Sequence, residues 1–198
     1  MTFRRARIYD AVALLTVILI IILDQWTKSL VVEHLSPPES KPPIPLLGPY
    51  LVIEYIQNRG AAFGLFSDNI FLAVLIAAAI GVVAYLYLRM LNSGPLVYKL
   101  VFGLIIGGAI GNLIDRAHNA GYVVDFIAFR IPEIGFRFAI FNVADACISV
   151  GVFLLFVLVL FSGLRQKEES GKERETAGSS TPSSKSGTIR PTEQDASL

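Results

Sequence analysis

Four apolar stretches constrain this chain more than any other feature: about Ala11 to Val32, Ile70 to Leu91, Leu100 to Ile114 and Phe138 to Leu164. Each approaches the roughly 20 residues that cross a ~30 Å hydrocarbon core. In lipid the backbone must satisfy its own polar groups, so such stretches fold as helices. The pattern predicts an all-α membrane protein with four transmembrane helices. Composition agrees: of 198 residues, 54% are hydrophobic and 17% charged, where soluble domains carry about 25% charged residues. The net charge is +1 and no basic stripe occurs, so no nucleic-acid partner is expected.

The N-terminal "MTFRRARIYD" resembles the start of a secretory signal, but "DQWTK" continues the helix and no small-x-small site follows. An uncleaved first span is expected. Four spans put both termini on one side. Arg4, Arg5 and Arg7, Arg89 and Lys99, and Arg165 and Lys167 then mark the cytoplasm by the positive-inside rule. Lys28, Arg59, Arg116, Arg130 and Arg137 fall opposite and read as working residues.

Residues 1–165 form the predicted membrane domain. Its outer loop, about 33–69, holds the Pro-rich "SPPESKPPIPLLGP" and then "YLVIEYIQN", whose β-branched and aromatic residues predict a short strand. An outer segment, about 117–137, is apolar but interrupted by Pro132 and Gly135, so it is expected to lie along the membrane surface. Residues 166–198, rich in Ser, Thr, Gly, Lys and Glu, read as a disordered cytoplasmic tail. In the third span Gly103, Gly107 and Gly111, with Gly108, suit close helix approach.

Polar residues gather toward one side. Asp24 and Lys28 share a helix face at i, i+4, and Asn112, Asp115 and Arg116 share another. So do Asn142 and Asp145. Asp125 stands in the outer segment between Val124 and Phe126. Bland readings stand beside the functional one: helix-end ion pairs for Asp24 with Lys28 and for Asp115 with Arg116, interhelical hydrogen bonds for Asn112 and Asn142, and an N-cap for Asn142. Asp145 resists such a reading, since Ala144, Cys147 and a long apolar run surround it and no cation lies within a turn.

Two carboxylates that approach in an apolar setting push their pKa values apart. The ionised one can take a proton from attacking water while the protonated one hydrogen-bonds a carbonyl oxygen. That hydrolysis needs no metal or covalent nucleophile. No cofactor or metal is expected, because His34 and His118 are not at ligand spacing and Cys147 is the only cysteine. Cys147 lies about 200° round the helix from Asp145 and reads as a packed small hydrophobe. A transporter relaying protons through Asp115, Asp125 and Asp145 competes with this reading, as does a scaffold built on the glycine-rich third helix.

Five blocks, "DQWTK", "NRGAAFG", "GGAIGNLIDR", "VVDF" and "FNVADA", occur in order over about residues 11 to 164. By them the chain resembles the bacterial lipoprotein signal peptidases, or signal peptidase II, a family of intramembrane aspartic peptidases. The resemblance implies a catalytic pair, Asp125 and Asp145. Asn58, Gly60, Asn112, Arg116 and Asn142 would bind substrate or support the pair, and Asp24, Lys28 and Asp115 would hold the architecture. It also implies a small β-rich extracytoplasmic cradle, a mobile surface segment between helices three and four, and inhibition by the peptide antibiotic globomycin. The implied substrates are diacylglyceryl-modified prolipoproteins cut on the amino side of the lipidated cysteine, in the bacterial cytoplasmic membrane. Membrane lipids are the other expected partner, and the chain is expected to act as a monomer.

Overall fold

The structure is a computed structural model and describes residues 3–60, 78, 81–83, 85, 87–89 and 94–179. Its elements in chain order are α1 (Phe3–Leu35), β1 (Ile44–Leu47), β2 (Leu51–Asn58), α2 (Leu96–His118), β3 (Val123–Ile131), a 3-10 turn (Pro132–Ile134), β4 (Phe136–Arg137) and α3 (Val143–Ser179). Among the described residues, Arg4–Leu35, Leu96–His118 and Val143–Ser162 have the length and apolarity to cross a membrane. The expected span from Ile70 to Leu91 lies largely outside the described residues; positions 78, 81–83, 85 and 87–89 are helical.

Small residues decide how the helices meet. Gly103 faces Ala13 and Thr16, Gly107 faces Val17 and Ile20, and Gly111 faces Asp24. The two numberings rise together, so α1 and α2 run parallel. From Ala144 to Gly151, α3 runs the other way: Gly108 meets Ala144 and Ile148, while Gly151 meets Val101, Leu104 and Ile105. At Gly108 a Cβ would stand 2.5 Å from the Ala144 carbonyl oxygen, so only glycine allows this approach. Buried positions on α1 (Ala6, Ala13, Ile20, Asp24, Lys28, Val31, Leu35) make one stripe, whereas Leu14, Leu15, Ile18, Leu19, Ile22 and Leu23 are exposed. In a bilayer such an outer face meets acyl chains, and polar groups turn inward.

The four strands form one antiparallel sheet in the order β1-β2-β3-β4. Register is set by pairs such as Asn58 with Val123 and Ile56 with Asp125. Tyr55, Val124 and Phe126 pack with Val31 and Leu35, which seats the sheet on the C-terminal end of α1.

This corrects the expected separation between a cradle from the first outer loop and a surface-lying segment. The segment supplies β3 and β4 to the same sheet, because "VVDFIAFRI" finds in β2 a partner for its backbone groups. Helix limits also differ. Helix α2 is longer than expected because Asn112, Asp115 and Arg116 turn to polar partners and stay helical. Helix α3 starts after Phe138, since the chain from Phe136 to Phe141 is held by β4 and the bridge between Ile127 and Phe141. It continues to Ser179, past Gln166 where the tail was expected to begin. That stretch, "KEESGKERE", places opposite charges three or four residues apart, which favours helix.

Candidate active site

The start of α3 organises the site. Asn142 precedes the first helical residue, and its Oδ1 accepts the Asp145 backbone N–H at 2.9 Å. The Asp145 carboxylate accepts the Asn142 backbone N–H in return, at 3.3 Å. This reciprocal pair is a capping box, here with aspartate at its third position. The geometry that closes the helix end also aims the Asp145 side chain back over it.

Asn142 is fully buried, and its Nδ2 donates to Asp125 Oδ1 at 2.7 Å and to Asn112 Oδ1 at 3.1 Å. Asn112 Nδ2 donates to Asp145 Oδ1 at 2.7 Å. Asn58 Nδ2 donates to Asp125 Oδ2 at 2.8 Å, while its own Oδ1 accepts the Gly60 N–H at 2.9 Å. Asp125 and Asp145 therefore each receive amide protons, and one asparagine bonds to both.

A buried ionic hub stands behind these amides. Lys28 Nζ donates to Asp24 Oδ2 at 2.7 Å and to Asn112 Oδ1 at 3.0 Å, and lies 3.1 Å from Asp115 Oδ2. An ammonium can only donate, so it fixes which end of the Asn112 amide is oxygen and leaves the NH₂ for Asp145. Asp24 Oδ1 accepts the Ala144 N–H at 3.0 Å, one of the unpaired first-turn amides of α3. Asp115 Oδ2 accepts the Val124 N–H at 2.9 Å, tying α2 to the strand residue next to Asp125. Helices α1, α2 and α3 and the sheet meet here, and every buried side-chain polar atom among the described residues has a partner.

Asn58, Gly60, Asn112, Arg116, Asp125 and Asp145 line one cavity of about 420 Å³, whose other walls include Phe138, Ile140, Phe141, Ile148 and Val150. Arg116 reaches across it, donating to the Gly60 and Asn112 carbonyl oxygens at 3.2 and 3.3 Å. Asp125 is 2% exposed, and burial and then the charge of Asp145 raise its pKa to about 6. The amide donors of Asn58 and Asn142 act the other way, as does Lys28 at longer range.

Of the residues read as the site, six line the cavity, Asn142 stands between the two carboxylates, and Asp24, Lys28 and Asp115 form the hub; Arg59, Arg130 and Arg137, also read as working residues, are not among those lining it. Gln25 was missed. Its Nε2 donates to Asp115 Oδ1 at 2.8 Å and to the Gly111 carbonyl oxygen at 3.2 Å. It stands in "DQWTK", but the i, i+4 spacing drew attention to Asp24 and Lys28 alone. Lys99, read as a marker of the cytoplasmic side, is fully buried and paired with Asp10.

A helical membrane protein with two carboxylates on one cavity, fixed by amides and a buried ammonium, has the equipment of an aspartic peptidase. Comparison with known proteins agrees. The family model described as Signal peptidase (SPase) II matches residues 16–161. A lipoprotein signal peptidase of Caldanaerobacter subterraneus subsp. tengcongensis is 39% identical over 151 residues, which is 76% of this chain and 97% of that one. One from Halalkalibacterium halodurans is 40% identical over 162 residues, covering 82% and 97% respectively. Two solved structures of a bacterial membrane enzyme, obtained in meso at 1.9 and 2.3 Å resolution, each superpose with a TM-score of 0.64. They are 28% and 26% identical, covering 76% and 77% of this chain and 93% and 90% of those chains. The chain belongs to the signal peptidase II family, and it is an aspartic-type peptidase of a multi-pass membrane protein.

Proposed function

We propose that the chain removes the signal peptide from diacylglyceryl-modified prolipoproteins, cutting on the amino side of the lipidated cysteine with water activated between Asp125 and Asp145. The observation that carries this reading is the shared cavity: both carboxylates line it, and asparagine N–H groups hold each of them.

The pair works with one proton between its members. The ionised carboxylate takes a proton from water as the oxygen attacks the scissile carbonyl carbon. The protonated carboxylate hydrogen-bonds the carbonyl oxygen and stabilises the charge that develops there. Protonation of the leaving nitrogen then breaks the C–N bond, freeing the signal peptide's carboxyl terminus and the amino group of the modified cysteine. Asn58, Asn112 and Asn142 keep both carboxylates in place throughout, so little reorganisation accompanies the charge shift. Arg116 and Gly60 line the route by which an extended peptide backbone would enter. The apolar wall of Ile140, Phe141, Ile148 and Val150 suits the acyl chains of the modified cysteine and the hydrophobic part of the signal peptide.

In this reading four helices cross the bacterial cytoplasmic membrane, both termini are cytoplasmic, and the cavity opens toward the outer leaflet. Lipidated substrate then keeps its acyl chains in the bilayer while water reaches the carboxylates.

The test is cleavage of a diacylglyceryl-modified prolipoprotein by the purified full chain in lipid. Asp125→Asn and Asp145→Asn should each lower kcat by about 10²–10⁴-fold. Full activity in either variant would remove the dyad, and equal cleavage of the unmodified precursor would remove the proposed substrate class.

A further inference from the structure

We propose that the end of the sheet remote from the active-site carboxylates binds the phosphate of an anionic membrane lipid through Arg130 and Arg137. A second cavity, of about 640 Å³, lies there, with Arg130, Arg137, Val52, Gly48 and Gly135 in its lining. Arg130 on β3 pairs directly with Arg137 on β4, so both side chains rise from one face of the sheet. Arg130 is five residues from Asp125 along β3, roughly 16 Å at about 3.3 Å per residue.

Like charges directly opposite each other on adjacent strands are destabilising. Among the described residues no carboxylate lies within ion-pair distance of either guanidinium to offset this pair. The carboxylate on the intervening turn, Glu133, accepts the Tyr50 hydroxyl at 2.7 Å instead. Arg130 is half-buried and Arg137 exposed. Two planar forks on one cavity suit a phosphate, which accepts bidentate hydrogen bonds from each.

The surroundings favour a lipid as the source of that phosphate. Leu46 and Leu47, before the β1–β2 turn, are 59% and 65% exposed, and Ile134, on the β3–β4 connection, and Phe136, at the start of β4, 73% and 44%. These apolar tips flank the arginine pair on a sheet seated at the end of a membrane-spanning helix. Apolar side chains entering the acyl boundary beside cations at phosphate level are the mark of an interfacial lipid contact. The contact would anchor the sheet that carries Asp125.

The experiment uses the purified full chain in non-ionic detergent. It is titrated with phosphatidylglycerol, with phosphatidylcholine or with inorganic phosphate, and bound lipid is read by native mass spectrometry. Wild type should retain phosphatidylglycerol in preference to phosphatidylcholine. Each of Arg130→Gln and Arg137→Gln should weaken that retention roughly fivefold, following about 1 kcal/mol per basic residue near an anionic surface. A doubly substituted Arg130→Lys, Arg137→Lys chain, which keeps both charges but loses both bidentate forks, should retain phosphatidylglycerol less well than wild type and better than either Gln variant. Melting midpoint and peptidase activity in phosphatidylcholine should be unchanged, which separates lipid binding from folding. Equal binding of both lipids, or wild-type retention by both Gln variants, would overturn the proposal. Displacement of phosphatidylglycerol by millimolar inorganic phosphate would make the cavity a free-anion site and overturn the lipid assignment.

Discussion

At the scale of residues, asparagine does the work that metal ligands or a histidine do in other hydrolases. An amide carries donor and acceptor in one plane, so Asn142 can cap α3 through Oδ1 and hold Asp125 through Nδ2. The donors on Asp125 oppose its burial and the charge of Asp145, and the balance leaves it near pH 6. The sign follows from this. A carboxylate raised above its ordinary value holds its proton in the folded state, so its contribution to stability is present at low pH and is lost as pH rises through about 6. If the pair acts with one proton, kcat/KM should fall with a basic limb near that pH. Asn58 donates to the ionised form, so Asn58→Ala should keep Asp125 protonated to higher pH. A hydrogen bond to a charged group contributes about 1.5 kcal/mol, so the limb should move up by about one pH unit. A pH profile of kcat/KM against a modified substrate reads this directly; a limb that stays or moves down would place the titrating proton elsewhere.

Among the secondary-structure elements, the helices were far more legible in the sequence than the sheet. Apolar runs announce their own helices because lipid leaves the backbone no alternative. Strands require partners distant in sequence, and "VVDFIAFRI" gives no sign that residues 51–58 will pair with it. The site shows the same division. Asp24 with Lys28, and Asn142 with Asp145, are local and follow from helical spacing. The bond from Asp115 to the Val124 N–H crosses from helix to strand and has no spacing signature. The glycines of α2 were legible as packing residues, but not that one of them makes room for a polar group. At Gly111 a Cβ would stand 2.6 Å from Asp24 Oδ2. That carboxylate cannot retreat, because Lys28 and the Ala144 N–H hold it. Gly111→Ala should therefore cost about 1–3 kcal/mol, as overpacking does, and lower the melting midpoint. It should also cut activity, since the displaced hub orients Asn112. Gly81→Ala, with nothing within 4 Å, is the matching control and should melt like wild type. Equal melting of the two variants would show that α1 and α2 can part without loss.

For the whole molecule, the parallel packing of α1 and α2 constrains the path between them. Lys28 sits beside Asp115 near one end of the pair, and Asp10 beside Lys99 near the other. At 1.5 Å per residue these levels are roughly 25 Å apart, close to a hydrocarbon thickness. The sheet sits at the Leu35 end, whereas α2 begins at the Asp10 end. The proposed four-span reading needs one further crossing between residues 60 and 94, and Ile70 to Leu91 is the apolar run in the sequence that it assigns to that crossing. With α3 antiparallel to α2, that proposed reading has four crossings, with both termini on the side of Arg4, Arg5 and Arg7. The same reading has the carboxylate cavity open to the other side, where a lipidated, translocated substrate would be. Cysteine labelling tests this, because the natural chain has only Cys147. In a Cys147→Ser background, Ser40→Cys should react with a membrane-impermeant maleimide added to intact spheroplasts. Ser93→Cys should react only once the membrane is permeabilised. Labelling of both before permeabilisation would leave residues 60–94 on the outer side, and the parallel helices would then need a different route to the same packing.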